Sequence, residues 1–229
     1  MHYHNVCQGI FLRRPNRFIA EVEIDGRTEI CHVKNTGRCR ELLIPGTEVY
    51  LQRADQKKRK TGFDVIAVRK GNNLVNIDSQ VVNGAVEEWL RKGTLLKDLS
   101  LLKREVTFGR SRFDLYAEYE NGKKAFLEVK GVTLEQGGVV RFPDAPTERG
   151  IRHLTELCEC LACGYQAYLI FVIQMKGVYR MEPNWQTHRA FGETLVKAQQ
   201  AGVHILAYDC LIQPDDIVLD QMVPVVLEQ

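Results

Sequence analysis

Apolar and polar residues alternate in short runs between residues 8 and 77, and turn residues separate the runs. The runs are Gly9–Arg13, Arg17–Ile24, Arg27–Val33, Glu48–Arg53, Phe63–Arg69 and Leu74–Ile77. A period of two is typical of strands with one buried face, and Asp25-Gly26 is a strong signal for a tight hairpin. About five closely spaced strands predict a small closed barrel of the oligonucleotide/oligosaccharide-binding (OB) kind.

The apolar spacing changes from strand-like to helical near residues 76–83, which predicts a domain boundary there. We therefore expect the barrel over residues 1–82 and a second domain over residues 83–229. The elements predicted in the second domain are a helix over Gly84–Lys92, strand Leu99–Phe108, a two-stranded hairpin over residues 112–130, a helix from Thr147 to about Cys163, strand Tyr165–Ile173, helix His188–Gln200 and strand Val203–Tyr208. Counting the hairpin as two strands, the elements from Gly84 to Ile173 predict an α/β (α+β) fold with the order αβββαβ.

Acidic and basic residues are brought together by the hairpin. Side chains alternate faces along a strand, so Leu127 and Val129 point to the core while Glu128 and Lys130 share the opposite face. Asp114 lies on the other strand of the hairpin, and pairing of the two strands would bring it to Glu128. Two carboxylates beside a lysine form a plausible Mg²⁺ site, because Mg²⁺ prefers one or two carboxylates together with waters and substrate phosphate.

This pattern resembles the PD-(D/E)xK nuclease signature. Asp114 is followed fourteen residues later by Glu128-Val129-Lys130, and Phe113 stands where the signature has its proline. We expect Phe113, Leu115 and Ala117 to face the core together. On these residues alone, the alternative is a surface edge whose charges form salt bridges with one another.

A longer set of segments resembles the sugar fermentation stimulation protein A family. In chain order they are Asn35–Arg38, Pro45-Gly46, Asn83–Glu88, Leu102–Glu105, Gly109–Asp114, Glu128–Leu134 and Phe142–Gly150. The last segment, Phe-Pro-Asp-Ala-Pro-Thr-Glu-Arg-Gly, is highly specific. The resemblance implies an OB-like barrel followed by a restriction-endonuclease-like domain, DNA as a partner, and a regulatory role in sugar metabolism.

The nuclease-like signature implies roles for individual residues. Asp114 and Glu128 would hold Mg²⁺, with Mn²⁺ as a possible substitute, and the Val129 carbonyl would assist them. Lys130 would position the attacking water.

Three further glutamates have candidate roles. The first helix of the nuclease fold commonly contributes a glutamate to the metal shell, and the family pattern assigns that role to Glu88. Glu87 is then a solvent-facing neighbour, although the helical register is uncertain by one residue. Glu105 either supports the metal site or its lysine, or forms a cross-strand salt bridge.

Basic clusters are the candidate phosphate contacts, because the net charge of +2 does not by itself indicate a nucleic-acid-binding protein. The candidates are Arg13, Arg17, Lys57, Lys58, Arg59 and Lys60 in the barrel, and Arg112, Arg149 and Arg152 in the second domain. Arg149 and Arg152 would lie near a helix N-terminus, where backbone N–H groups favour anions. Each cluster has an alternative as a solvated surface.

The helix that Thr147 is expected to cap shows an apolar stripe with a 3.6-residue period. Its members are Ile151, Leu154, Leu157, Cys158 and Leu161. The polar face would carry His153 and Glu156 besides the arginines. Cys160 and Cys163 would lie on the polar side, so the cysteines of this helix cannot converge on one metal ion.

The composition limits the class of protein. At 229 residues with 45% hydrophobic content, the chain can bury a sizeable core, and no run approaches the roughly 20 apolar residues of a membrane-spanning helix. The N-terminus shows no signal segment, and seven cysteines fit reduced thiols in a reducing compartment. We expect a cytoplasmic protein without structural disulfides.

Two functions fit these observations. The first is a DNA-binding protein, without strong sequence preference, whose second domain carries a Mg²⁺-dependent phosphodiesterase site. The second is a non-catalytic DNA-binding regulator that retains the nuclease scaffold. The presence of Asp114, Glu128 and Lys130 together with Glu88 favours the first, because a decayed site usually loses an acid or the lysine.

Overall fold

The computed structural model describes residues 1–35, 37–54, 60–93 and 95–228. The strands are β1 (Val6–Asn16), β2 (Ile19–Ile24), β3 (Arg27–Val33), β4 (Glu48–Arg53), β5 (Phe63–Lys70), β6 (Asn73–Asn76), β7 (Leu99–Phe108), β8 (Ser111–Tyr119), β9 (Lys124–Val132), β10 (Glu135–Gln136), β11 (Val139–Phe142), β12 (Gln166–Ile173), β13 (Arg180–Pro183), β14 (His204–Gln213) and β15 (Asp216–Met222). The helices are α1 (Val82–Arg91), α2 (Glu148–Ala162) and α3 (Arg189–Gln200).

The N-terminal strands form the predicted closed barrel. Strands β1 to β5 pair in the order β3-β2-β1-β4-β5, and a parallel pairing between β3 and β5 closes the ring. The β2–β3 hairpin turns through Asp25 and Gly26, both with positive φ, as a tight two-residue turn requires. Alternate residues such as Val22, Val49 and Val65 fill the interior.

The second domain is a mixed six-stranded sheet with helices on both faces, which confirms the predicted fold class. The strand order is β15-β14-β12-β9-β8-β7, with β12 parallel to both β9 and β14. Helix α1 packs on one face, and α2 packs on the other with α3 beside it. Continuous apolar sequence in β12 matches its burial between these layers.

The segment after β9 forms short strands that were not among the predicted elements. Glu135-Gln136-Gly137-Gly138 forms a small hairpin in which Gly137 and Gly138 have positive φ. Its second strand, β11, then pairs in parallel with β13, which gives a separate three-stranded sheet. Single-sequence patterns do not detect such short strands reliably.

Helix α2 buries a different face from the predicted one. Thr147 caps the helix as expected, with its Oγ1 accepting a hydrogen bond of 3.0 Å from the Gly150 amide. The buried face contains His153, Glu156 and Cys160, which the sequence had placed on the polar side. With 100° per residue, the buried face is rotated by about 80° from the apolar stripe. The expected position of Cys160 is therefore wrong, because it is buried, whereas Cys163 is exposed as expected and Cys158 is half-buried against the core.

The barrel contacts the second domain at the carboxyl ends of β9 and β12. The Asn76 amide donates to the Gln174 carbonyl at 2.9 Å, and the Gln174 side chain donates to Asn76 Oδ1 at 2.8 Å. Lys70 of the barrel pairs with Glu135 of the small hairpin at 2.5 Å. The barrel is therefore fixed at the sheet edge where β9 delivers Lys130. Among the described residues, no helix has the length and apolar character needed to span a membrane.

Candidate active site

Strands β8 and β9 separate at the point where the candidate carboxylates lie. Their pairing ends at Leu115 and Leu127, and the next residues toward the site, Asp114 and Glu128, are not paired. On the other side of β8, Glu105 has φ of +56° opposite Asp114, where the β7–β8 pairing is also interrupted. This irregular backbone turns the strand so that its side chains no longer alternate simply.

Because of this distortion, the side chains of β8 do not face the way that the sequence predicted. Leu115 and Ala117 pack in the cluster beneath α1, whereas Phe113 packs in the cluster beneath α2, against Phe126 and His153. All three apolar side chains are buried, but they do not share one face.

Asp114 is held by two donors. Its Oδ2 accepts a hydrogen bond of 2.8 Å from the Val129 amide of β9, and its Oδ1 accepts one of 2.7 Å from Asn83 of α1. The structure thus fastens this carboxylate to the strand that carries Glu128. Asn83 is a site residue that pattern analysis had not assigned a role.

Glu128 has two differently used oxygens. Its side chain is only 2% exposed, and Oε1 accepts hydrogen bonds from both Lys130, at 2.5 Å, and His153. Oε2 is buried and has no hydrogen-bond partner among the residues that the structure describes. A buried carboxylate oxygen without a partner is costly, so its native partner is expected to be a ligand, an ion or a water.

The tautomer of His153 follows from its two contacts. Arg149 Nε–H donates to His153 Nε2 at 3.3 Å, so Nε2 must carry a lone pair. The proton of the neutral ring then sits on Nδ1, which donates to Glu128 Oε1. Arg149, His153, Glu128 and Lys130 therefore form one continuous chain of hydrogen bonds.

The two carboxylates have opposite pKa shifts. Burial, with a contribution from the charge of Glu128, raises the pKa of Asp114 above its usual range. For Glu128, burial acts to raise the pKa, but the hydrogen bond from His153 and the charge of Lys130 outweigh it and lower the pKa. Glu128 is thus held ionised despite its burial.

The carboxylates at this site suit a hard divalent cation that takes only one or two of its ligands from the protein. Among the described residues no group of three or more His, Cys, Asp or Glu side chains is arranged to hold a metal ion. Asp114 and Glu128 supply two carboxylates, which is the number that Mg²⁺ commonly takes from protein, with waters and phosphate completing its shell. The unpartnered Glu128 Oε2 is consistent with such an ion.

Glu88 is not brought to this site. Its carboxylate is 51% exposed and pairs with the Met1 ammonium at 2.9 Å. Glu88 lies five positions after Asn83, which places it about 140° around the helix from the Asp114 contact. Glu87 lies about 40° from Asn83 and pairs with Arg91 and, more distantly, with Arg104 of β7. The structure therefore places the carboxylate of Glu88 at the N-terminus of the chain, and the α1 residue that contacts Asp114 is Asn83.

Glu105 forms the cross-strand salt bridge that was its alternative role. Its carboxylate lies 3.5 Å from Arg112 on β8, and both side chains are mostly exposed. Arg112 therefore remains at the surface, two positions before Asp114 in the sequence. Arg152 is also exposed on α2, whereas the exposed Arg149 bonds to His153.

The basic residues of the barrel fall into three groups. Arg13 donates two hydrogen bonds to the carboxylate of Glu21, at 2.7 Å each. Arg17 lies over the ring of Phe18, with 4.8 Å between its guanidinium carbon and the ring centroid. Lys60 is exposed, while the predicted contacts Lys57, Lys58 and Arg59 lie outside the described residues.

The fold and the site together define a two-domain protein in which an OB barrel precedes a restriction-endonuclease-like domain with a carboxylate–lysine site. The family model described as the SfsA N-terminal OB domain matches residues 12–77, and the model described as the sugar fermentation stimulation protein RE domain matches residues 80–216. The chain belongs to the sugar fermentation stimulation protein A family.

Curated relatives and a solved structure agree with this membership. The sugar fermentation stimulation protein homolog of Clostridium beijerinckii is 57% identical over 99% of this chain and 100% of its own length. The homolog of Desulfitobacterium hafniense is also 57% identical, over 99% of each chain. The structure of Pyrococcus furiosus SfsA in complex with Ca²⁺ is 30% identical, with a TM-score of 0.89 over 99% of this chain and 98% of that one.

Proposed function

We propose that this protein binds DNA and cleaves its phosphodiester bonds with a divalent metal ion held by Asp114 and Glu128. The observation that carries the proposal is the buried Glu128 Oε2, which lacks a partner among the described residues. The second fixed carboxylate, Asp114, is bonded to the amide of the next residue, Val129, and feels the charge of Glu128. An isolated salt-bridging edge would not leave a carboxylate 2% exposed with one oxygen unsatisfied.

The proposed ion is Mg²⁺, with Mn²⁺ as a substitute. The Pyrococcus furiosus relative was solved with Ca²⁺, and Ca²⁺ and Mg²⁺ are both hard cations that prefer oxygen ligands. Asp114 and Glu128 would hold the ion, and the Val129 carbonyl remains a candidate third ligand. When bound, the ion would supply Lewis-acid stabilisation of the charge that develops on the phosphoryl oxygens.

The surrounding residues orient the groups that react. Lys130 Nζ is fixed by Glu128 Oε1, which leaves its other protons free to donate to the attacking water or to the scissile phosphate. His153 donates to the same oxygen, so that Oε2 rather than Oε1 would be presented to the ion. Hydrolysis then joins the water oxygen to phosphorus and releases one ester oxygen as a hydroxyl.

The proposal also covers the domain boundary, the mode of DNA binding and the cellular location. We place the boundary between the barrel and the catalytic domain at residues 82 and 83, and we expect binding to the DNA backbone without strong sequence preference. A cytoplasmic location is also proposed, since all seven cysteines carry free thiols that suit a reducing compartment.

The test is cleavage of a labelled DNA substrate with Mg²⁺ or Mn²⁺ by the wild type, Asp114→Asn and Glu128→Gln. Glu105→Gln is the matched control, because Glu105 is a carboxylate of the neighbouring strand that faces solvent. We expect cleavage by the wild type and the control that either site variant abolishes. DNA binding without metal-dependent cleavage by the wild type would instead support the non-catalytic regulator.

A further inference from the structure

A cavity of about 720 Å³ lies between the barrel and the second domain. On the barrel side it is lined by four arginines, Arg14, Arg17, Arg38 and Arg40, and on the other side by the segment 142–147. Its charged lining residues are these four cations and a single carboxylate, Asp144, within the part of the chain that the structure describes. We refer to this cavity as the arginine groove.

The arginines of the groove have two distinct tasks. Arg14 donates to the backbone carbonyls of Arg17, Asn35, Gly37 and Arg38 over 2.5–3.0 Å. It therefore holds the loop that presents the other cations. Arg38 and Arg40 are exposed and form no ion pair with any residue that the structure describes. Four cations gathered beside a single carboxylate repel one another unless an anion binds.

An aromatic ring stands beside these cations. Phe18 is 43% exposed, and Arg17 lies over its ring. Phe18 is not itself a lining residue, but it directly follows Arg17, which is. Exposed aromatic rings next to a basic groove are the feature on which the bases of single strands stack.

The groove leads toward the candidate active site along two walls. A second cavity of about 150 Å³ shares Gly37, Phe142 and Asp144 with the groove and continues to Gly131, next to Lys130. Gly131 packs closely against Gln174, since a Cβ at position 131 would lie 2.5 Å from Gln174 Oε1. The other wall ends at Thr147, where α2 begins and carries Arg149 and His153 toward Glu128.

We propose that the arginine groove binds a single-stranded segment of nucleic acid and directs it to Lys130 and the two carboxylates. Arg17, Arg38 and Arg40 contact its phosphates, and Phe18 stacks on a base. A cavity of about 720 Å³ suits a few nucleotides of one strand rather than a duplex. This inference rests on the proposed function, because it names the form of the substrate for the same site.

The test is fluorescence anisotropy of a labelled single-stranded oligonucleotide, measured without divalent metal so that no cleavage occurs. For Arg38→Gln/Arg40→Gln we expect affinity to fall at least about tenfold and the slope of log affinity against log salt to decrease by about one to two. Phe18→Ala should weaken binding at least about fivefold. Arg27→Gln is the matched control, since Arg27 is an exposed barrel arginine at the start of β3 that does not line the groove, and it should bind within about twofold of wild type.

Each outcome decides the inference. Wild-type affinity in Arg38→Gln/Arg40→Gln and in Phe18→Ala overturns it, as does a blunt duplex that binds as tightly as the single strand. Failure of the groove is distinguishable from failure of the catalytic proposal. Loss of binding in the groove variants without any cleavage by the wild type supports the groove and removes the nuclease, whereas cleavage with unchanged KM in those variants removes the groove alone.

Discussion

Nδ1 of His153 donates a short hydrogen bond to Oε1 of Glu128, and both side chains are almost completely buried. The bond joins α2 to β9 across the core of the second domain. Because Lys130 binds the same oxygen, the other oxygen of Glu128 is left without a partner among the described residues. The contact therefore decides which atom of the carboxylate can meet a ligand.

Replacing His153 should weaken metal binding without removing a metal ligand. In His153→Leu, Glu128 keeps only Lys130 and can rotate, so we expect Mn²⁺ affinity to fall by about 10- to 100-fold, as for other groups that orient a ligand. His153→Asn retains an N–H near the position of Nδ1 and should recover part of that loss. Calorimetric titration with Mn²⁺ measures both variants.

Recovery of Mn²⁺ affinity in His153→Asn would show that His153 orients Glu128 and does not act only by packing. Both variants lose the imidazole ring that contacts Phe113, so a purely structural role predicts equal losses of affinity in both. Equal Mn²⁺ affinity in wild type and His153→Leu, at matched melting temperatures, would show that His153 does not position Glu128.

The two polar candidates on α1 should behave differently. Asn83 donates to Asp114, so Asn83→Ala should lower Mn²⁺ affinity by about tenfold or more. Glu88 pairs with the Met1 ammonium, so Glu88→Gln should leave Mn²⁺ affinity unchanged. Calorimetry on the two variants tests whether Asn83 rather than Glu88 supports the metal site, and a large loss in Glu88→Gln alone would restore Glu88 to the metal shell.

Lys130→Met should separate catalysis from metal binding. The ammonium orients a reacting group but is not a metal ligand, so we expect cleavage to fall by about 10²- to 10³-fold while Mn²⁺ still binds. Lys124→Met is the control on the same strand, where the lysine is exposed and lies 3.7 Å from Glu118. Equal rates for Lys130→Met and the control would exclude a catalytic role for Lys130.

The ion pair between Lys70 and Glu135 should make stability depend on pH. Burial acts to raise the pKa of Glu135, but the hydrogen bond from Lys70 and the Gly138 amide outweigh it and lower the pKa. The stabilisation is thus complete above the ordinary glutamate range and is lost as the pH falls through the lowered pKa. We expect Glu135→Gln to cost about 1–2 kcal/mol at pH 7 in urea unfolding, since the pair is partly exposed.

The comparison with wild type at acid pH provides the check. The difference in unfolding free energy between wild type and Glu135→Gln should shrink toward zero as Glu135 becomes protonated. A difference that stays constant down to about pH 3 would mean that the charge of Glu135 does not stabilise the junction of the domains.

Local patterns were sufficient to predict most elements and the carboxylate–lysine motif. Strand β7 was predicted with its observed bounds, Leu99–Phe108, and the Thr147 cap was found because its chemistry is local. The pairing of the Asp114 strand with the Glu128 strand was also expected, from the hairpin predicted over residues 112–130.

The buried polar contacts were not predictable in the same way. His153 and Glu156 are polar residues on an amphipathic helix, and apolar periodicity assigns such residues to solvent. The burial of His153 depends on a partner, Glu128, that is 25 residues away. One signal could have predicted this contact. A buried glutamate needs hydrogen-bond donors, and a histidine on the next helix could supply one if it faced inward.

The most direct test of the proposed metal site is anomalous scattering from crystals of the wild-type protein soaked in Mn²⁺. We predict one strong peak at bonding distance from both Glu128 Oε2 and a carboxylate oxygen of Asp114, absent from Asp114→Ala/Glu128→Ala. Mn²⁺ bound elsewhere, or no peak between these two carboxylates at a saturating concentration, would contradict it.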